Sequence, residues 1–216
     1  MQAIKGIFWN SKERRLRALW RLLSQLVLAG LAILPLQAIV GFVAIGVLIS
    51  QKAITPGELT DPALIEQAIL QHPGLNLLSS LSTLIAIVLS VWIAGRFLDK
   101  RPFSDFGFHI NSNWWLDLVF GLLLGLFLMT LIFLVELSLG WVSVSDVLAV
   151  GQSPAAYWLG LLASLALFLA TGFYEELFAR GYQLTNIAEG LAGGLGKRGA
   201  ILAASILSSI VFGYLH

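Results

Sequence analysis

Apolar residues in this chain do not alternate with polar ones; they run on in long blocks. Five blocks reach or approach the length of about 20 residues that a helix needs to cross a bilayer. They cover residues 22–49, 75–98, 114–139, a stretch from about 157 onward, and 199–216. The first is broken only by Ser24, Gln25, Pro35, Gln37 and some glycines. The fourth starts just after Pro154, in a helix-opening position. The pattern predicts an all-α, polytopic helical membrane protein with about five transmembrane helices. The last block has no helix-ending signal or polar tail at residue 216, so the full protein is expected to continue and to hold further helices.

The first block has a basic flank and a small residue, Ala38, where a signal peptidase could cut. Its apolar run far exceeds a signal core of about 7–15 residues, so a retained helix is expected. Between the first two blocks lies a short amphipathic piece. Asp61 is placed to cap it, Pro62 is its first residue, and Leu64, Ile65, Ala68 and Ile69 share one side. His72-Pro73-Gly74 ends it. Trp114, Trp115, Trp141, Tyr157 and Trp158 flank the blocks at interface depth. The expected organisation is a basic N-terminal segment (1–21), three helices with their loops (22–153), and a C-terminal core (154–216).

Composition sharpens this picture. Hydrophobic residues make up 58% of the chain and charged residues 12%, about half the charge of a soluble domain. So few charges could not solvate the surface of a globular protein of this size, and a mean hydropathy of +0.87 agrees. There is no cysteine, which excludes disulfides, thiolate metal ligands and a cysteine nucleophile. Basic residues are distributed unevenly: Lys5, Lys12, Arg14, Arg15, Arg17 and Arg21 precede the first block, and Arg96, Lys100 and Arg101 follow the second. Arg180 lies late in the fourth, Lys197 and Arg198 lie between the fourth and fifth, and the other side holds Lys52 alone. That alternation predicts a cytoplasmic N-terminus.

Ionisable residues inside an apolar layer are costly and mark function by default. The fourth block contains Glu175, Glu176 and Arg180. Glu176 and Arg180 are four apart, share a helix face and can pair in the favourable acid-first order. Glu175 points about 100° away, with Thr171, Gly172, Phe178, Ala179 and Tyr182. Arg180 could thus neutralise one carboxylate and leave the other available as a base. The bland alternative is a structural ion pair beside a snorkelling acid. His216 ends the fifth block, and a lone histidine in an apolar helix is most often a packing residue. With a turn through 193–198, however, Glu175 lies 16 residues before Leu191 and His216 lies 17 after Gly199. In an antiparallel pair both would stand about 25 Å from the turn, at one level. Other intramembrane chemistries find no residues here: no His-Glu-x-x-His, no Gly-x-Ser-Gly, and no two aspartates inside the blocks. The glycines around 190–199 lack the spacing of a phosphate loop.

Glu175-Glu176-x-x-x-Arg180, followed by Phe212-x-x-x-His216 on the next apolar helix, resembles the CPBP family of CAAX proteases and bacteriocin-processing enzymes, also called the Abi family. Either motif alone is weakly specific; the ordered pair on adjacent helices is considerably more so. It covers about the last quarter of the chain. The resemblance implies an intramembrane endopeptidase, metalloprotease-like, acting on membrane-associated and in some members prenylated CAAX-type polypeptides. Glu175 would be the base, His216 its partner, and Glu176 with Arg180 a supporting pair. Both a glutamate protease and a metal-assisted enzyme fit the family, so the cofactor stays open between a divalent metal such as zinc and none. Zinc usually takes three protein ligands, more than Glu175 and His216 supply. The family's third motif, His-x-x-x-Asn on a later helix, would fall beyond residue 216. The expected setting is the lipid bilayer of a bacterial cytoplasmic or internal membrane, with a polypeptide substrate and no nucleic acid. The competing readings are a non-proteolytic scaffold or immunity protein of the same family, and a transporter using Glu136 with Glu175 and Glu176.

Overall fold

The computed structural model describes residues 7–11, 13–146 and 154–215. It forms two compact units, 1–107 with 159–216, and 108–158.

In the first unit a two-stranded antiparallel hairpin, β1 (Trp9–Asn10) and β2 (Arg15–Leu16), precedes the long helix α1 (Ala18–Ser50). The Arg17 N–H donates to the Phe8 carbonyl at 2.9 Å, and the Trp20 indole donates to the Ile7 carbonyl at 3.2 Å. Phe8 stacks on Trp20 with ring centroids 4.4 Å apart. The basic N-terminal segment is therefore folded onto the start of α1. After α1 come a short 3-10 turn (Pro56–Thr60) and α2 (Pro62–Gln71). The Thr55 backbone N–H and hydroxyl both donate to Glu58, holding its carboxyl below the usual range. This capping box is intact above the ordinary carboxylate pKa and opens as pH falls through the depressed one. Asp61 caps α2 as its sequence implies, accepting from the Ala63 and Leu64 N–H groups at 3.0 and 3.4 Å. Ala68 and Ile69 seat α2 on a small core of Ala44, Leu48, Ile54 and Leu75. His72 caps α3 (Pro73–Ile93), accepting from the Leu75 N–H at 3.3 Å.

Helices α1 and α3 are joined by small residues and polar groups, the usual glue of helices in lipid. Ala44, Ala86 and Val91 are fully enclosed. Gln37 donates to the Ser79 carbonyl at 3.1 Å and to the Thr83 hydroxyl at 2.8 Å, and Gln25 donates to Ser90 at 3.3 Å. Beyond α3 the helix continues as a π-helical turn (Ala94–Asp99), followed by a 3-10 turn (Phe103–Phe106).

The second unit is carried by α4 (Ser112–Ser138), which Asn111 caps by accepting from the Trp114 N–H at 2.9 Å. None of its residues is enclosed by protein, as suits a helix whose surroundings are lipid. Helix α5 (Pro154–Glu176) then leads into a second π-helical segment (Leu177–Leu184) and α6 (Thr185–Leu215).

Among the described residues, four helical paths are long and apolar enough to cross a membrane. The last, Tyr157–Tyr214, has 58 residues; straight, it would measure about 87 Å against a hydrocarbon layer of about 30 Å. It cannot cross once. Gly196, at φ 66° and ψ 170°, breaks it, and the Ser208 hydroxyl donates back to the Ala179 carbonyl at 3.4 Å. The expected fourth and fifth spans are thus two antiparallel arms, and the break is one residue rather than the six-residue turn expected. The chain is an all-α polytopic membrane protein, with β1–β2 a minor exception.

Segments rich in Lys and Arg meet at one end of the first unit. Lys100 donates to the Arg14 carbonyl and stands 5.7 Å from the Trp9 ring centroid. Lys52 follows the other end of α1, about 50 Å away for 33 residues. Cysteines placed at Lys52 and Lys100 should therefore label from opposite sides of the membrane, Lys52 from outside. Labelling of both from one side would contradict this topology.

Candidate functional site

The site is built on the stretch from α5 into the second π-helical segment. Thr171, one turn before Glu175, hydrogen-bonds Ser80 of α3 at 3.0 Å. Ala170, Leu177, Ala179 and Tyr182 are enclosed by protein. This inward side carries Glu175, which is half-buried. Glu176 and Arg180 lie on the other side and pair directly. Their side chains are 57% and 53% exposed, so the pair is on the outer face and not enclosed in the bundle. Glu175 is itself engaged in an interaction within the chain, so it is not the solitary carboxylate that helix geometry suggested.

The π-helical segment begins one residue after Glu176. Such wide turns hold one extra residue per turn and recur at functional sites. Here tertiary packing explains it. Phe106, 3% exposed, is wedged between both π-helical turns. A Cβ on Gly95 would come within 2.6 Å of the Phe106 ring, and one on Gly181 within 3.0 Å of its carbonyl oxygen. Tyr182 packs on the same ring at a centroid distance of 5.4 Å, and its hydroxyl lies 3.5 Å from the Arg21 carbonyl.

The second motif approaches the first. Phe212 lies against Arg180, its ring centroid 5.6 Å from the guanidinium carbon. A cavity of about 210 Å³ beside this contact is lined by Ala179, Arg180, Leu184 and Phe212 with Ser205, Ser208 and Ser209. Glu175 is not in that lining. His216 lies outside the described residues, and with it the expected Glu175–His216 pairing. Among the described residues, no three His, Asp or Glu side chains converge as a metal would require.

Sequence reasoning missed a second polar feature of this unit. Arg21, 2% exposed, pairs with Asp99, also 2% exposed. Arg21 also donates to Glu189 at 2.9 Å. Glu189 is further paired with Arg101 and, at 3.2 Å, with Arg15. The cluster ties the hairpin and α1 to the end of the first π-helical turn and to α6. It marks the rim of the apolar layer, because Arg21 opens α1 and Asp99 closes the second span. Glu175 precedes Glu189 by 14 residues, or roughly 20 Å along the helix. The motif acids therefore stand about that far along the helix from the cluster.

These features define a class: a polytopic helical membrane protein with a paired acidic motif on one of its long apolar helices. Residues 157–216 match the family model Rce1-like, described as type II CAAX prenyl endopeptidase Rce1-like. The matched segment carries Glu175, Glu176, Arg180 and Phe212, and the model is of the CAAX-protease kind that these motifs resemble. No curated protein and no solved structure matches the chain.

Proposed function

We propose that the protein is an intramembrane endopeptidase in which Glu175, with His216, activates water for attack on a peptide carbonyl. The observation that carries the reading is the meeting of the two motifs, with Phe212 against Arg180 on antiparallel arms. Motifs 32 positions apart need not touch; these do, and the touching segment is the one that matches a protease family. The inward side of Glu175 suits the role as well. A carboxylate there is the type of group that serves as a general base. Arg180 holds its cation on the neighbouring acid, Glu176.

The substrate class follows from the site's depth. A peptide bond cleaved there must itself reach the apolar layer, which a prenylated or otherwise membrane-associated polypeptide does. The protein reconstituted in liposomes should cleave a farnesylated CAAX peptide and leave its unprenylated counterpart largely intact, as read by mass spectrometry of the products. Equal cleavage of both would remove the lipid anchor from the argument. No cleavage of any membrane-associated peptide by the reconstituted protein would support the scaffold reading.

A further inference from the structure

A cavity of about 640 Å³ opens where α1 enters the apolar layer, between the first turns of α1 and residues 187–193 of α6. It is separate from the motif acids, and nothing said of it rests on the protease reading. Its charged lining is Glu13, Arg17, Arg21 and Glu189, and Leu19 and Leu22 supply apolar surface. The two acids are already neutralised. Arg15 holds Glu13 at 2.8 Å, and Arg15, Arg21 and Arg101 converge on Glu189. The unused polar capacity is all positive. Among the described residues Arg17 has no side-chain partner. The Nε–H of Arg21, on a side chain 2% exposed, has no hydrogen-bond acceptor. A buried guanidinium N–H without an acceptor is costly, and an anion in the cavity would satisfy it.

The apolar side of the cavity decides which anion. Leu19 is 62% exposed on the lipid-facing side of α1, so the cavity runs from a basic rim onto a surface that lipid tails cover. Its volume falls within the range of small-molecule sites and far exceeds what a lone phosphate fills. We propose that this cavity binds the headgroup of an anionic phospholipid. The phosphate sits on Arg17 and the Arg21 Nε–H, and the acyl chains run along Leu19 and Leu22 into the layer. Basic pockets between spanning helices recognise anionic headgroups by this chemistry.

The test uses the full chain in nanodiscs of phosphatidylcholine, with and without phosphatidylglycerol of the same acyl chains. Two readouts apply: lipid retained after detergent extraction, by native mass spectrometry, and the midpoint of thermal unfolding. Phosphatidylglycerol should be retained in preference and raise the midpoint. Arg17→Gln should weaken that preference about fivefold and leave the midpoint in phosphatidylcholine alone unchanged, while Arg17→Lys keeps part of it. Arg17 is the position to vary because Arg21 belongs to the ionic cluster and its loss would unfold the end of the bundle. Equal retention of the two lipids, or full retention by Arg17→Gln, would overturn the proposal. So would inorganic phosphate reproducing the whole midpoint shift, which would assign the cavity to a soluble anion.

Discussion

Glu175→Gln is expected to lower the rate of peptide cleavage by about 10²–10⁴-fold, the usual contribution of a general base. The change keeps the side chain's size and removes its basicity. Glu175 is half-buried on the inward side, so folded protein should persist in detergent with its unfolding midpoint close to that of the unsubstituted chain. Glu176→Gln should behave differently. From the helix face alone, Arg180 would lose a buried partner, at about 3–5 kcal/mol. The structure corrects that magnitude: both side chains are more than half exposed, and the loss falls toward the about 1 kcal/mol or less of an open pair. Cleavage should fall less with Glu176→Gln than with Glu175→Gln, because Glu176 acts by holding Arg180 against Phe212 rather than on water. Rates measured beside unfolding midpoints separate the two roles. Equal losses of rate would contradict the division.

The largest effect on stability is expected at the other end of the bundle. Asp99→Asn leaves Arg21 enclosed with Glu189 as its remaining acidic partner, and breaking an enclosed pair in this way costs about 3–5 kcal/mol. The damage should spread, because Arg21 also accepts through its carbonyl from Tyr182, which packs on Phe106. An apolar double replacement, Arg21→Met with Asp99→Leu, should recover much of the loss, since removing both charges also removes their desolvation cost. The measurement is the unfolding midpoint of the two variants and the unsubstituted chain in one detergent. A double variant no more stable than Asp99→Asn would show that Arg21 serves chiefly through Glu189.

Local rules made much of this molecule legible. The apolar blocks gave the spans to within a few residues, because a lipid-crossing helix satisfies its backbone internally and needs only length. Asp61 was readable as a cap, and Glu176 with Arg180 as a pair, because in each the partner lies within one turn. The ionic cluster was not readable. Its partners lie 78 positions apart for Arg21 with Asp99 and 168 for Arg21 with Glu189, and a basic residue before a span looks the same whether it orients the chain or joins a cluster. The π-helical turns were hidden for a similar reason. Their extra residue is set by Phe106, which reaches Gly95 and Gly181 from a separate turn. The single-residue break at Gly196 was blurred by its neighbours, since any of Gly193, Gly194, Gly196 or Gly199 could have made it.

The central claim is that Glu175 directs water onto a peptide bond. Its most direct test is single-turnover cleavage of a farnesylated peptide in ¹⁸O-labelled water by the reconstituted protein. The account predicts one ¹⁸O atom in the newly formed carboxylate, and no labelled product from Glu175→Gln. Labelled product from Glu175→Gln at an undiminished rate would contradict it, as would an unlabelled carboxylate from the unsubstituted chain.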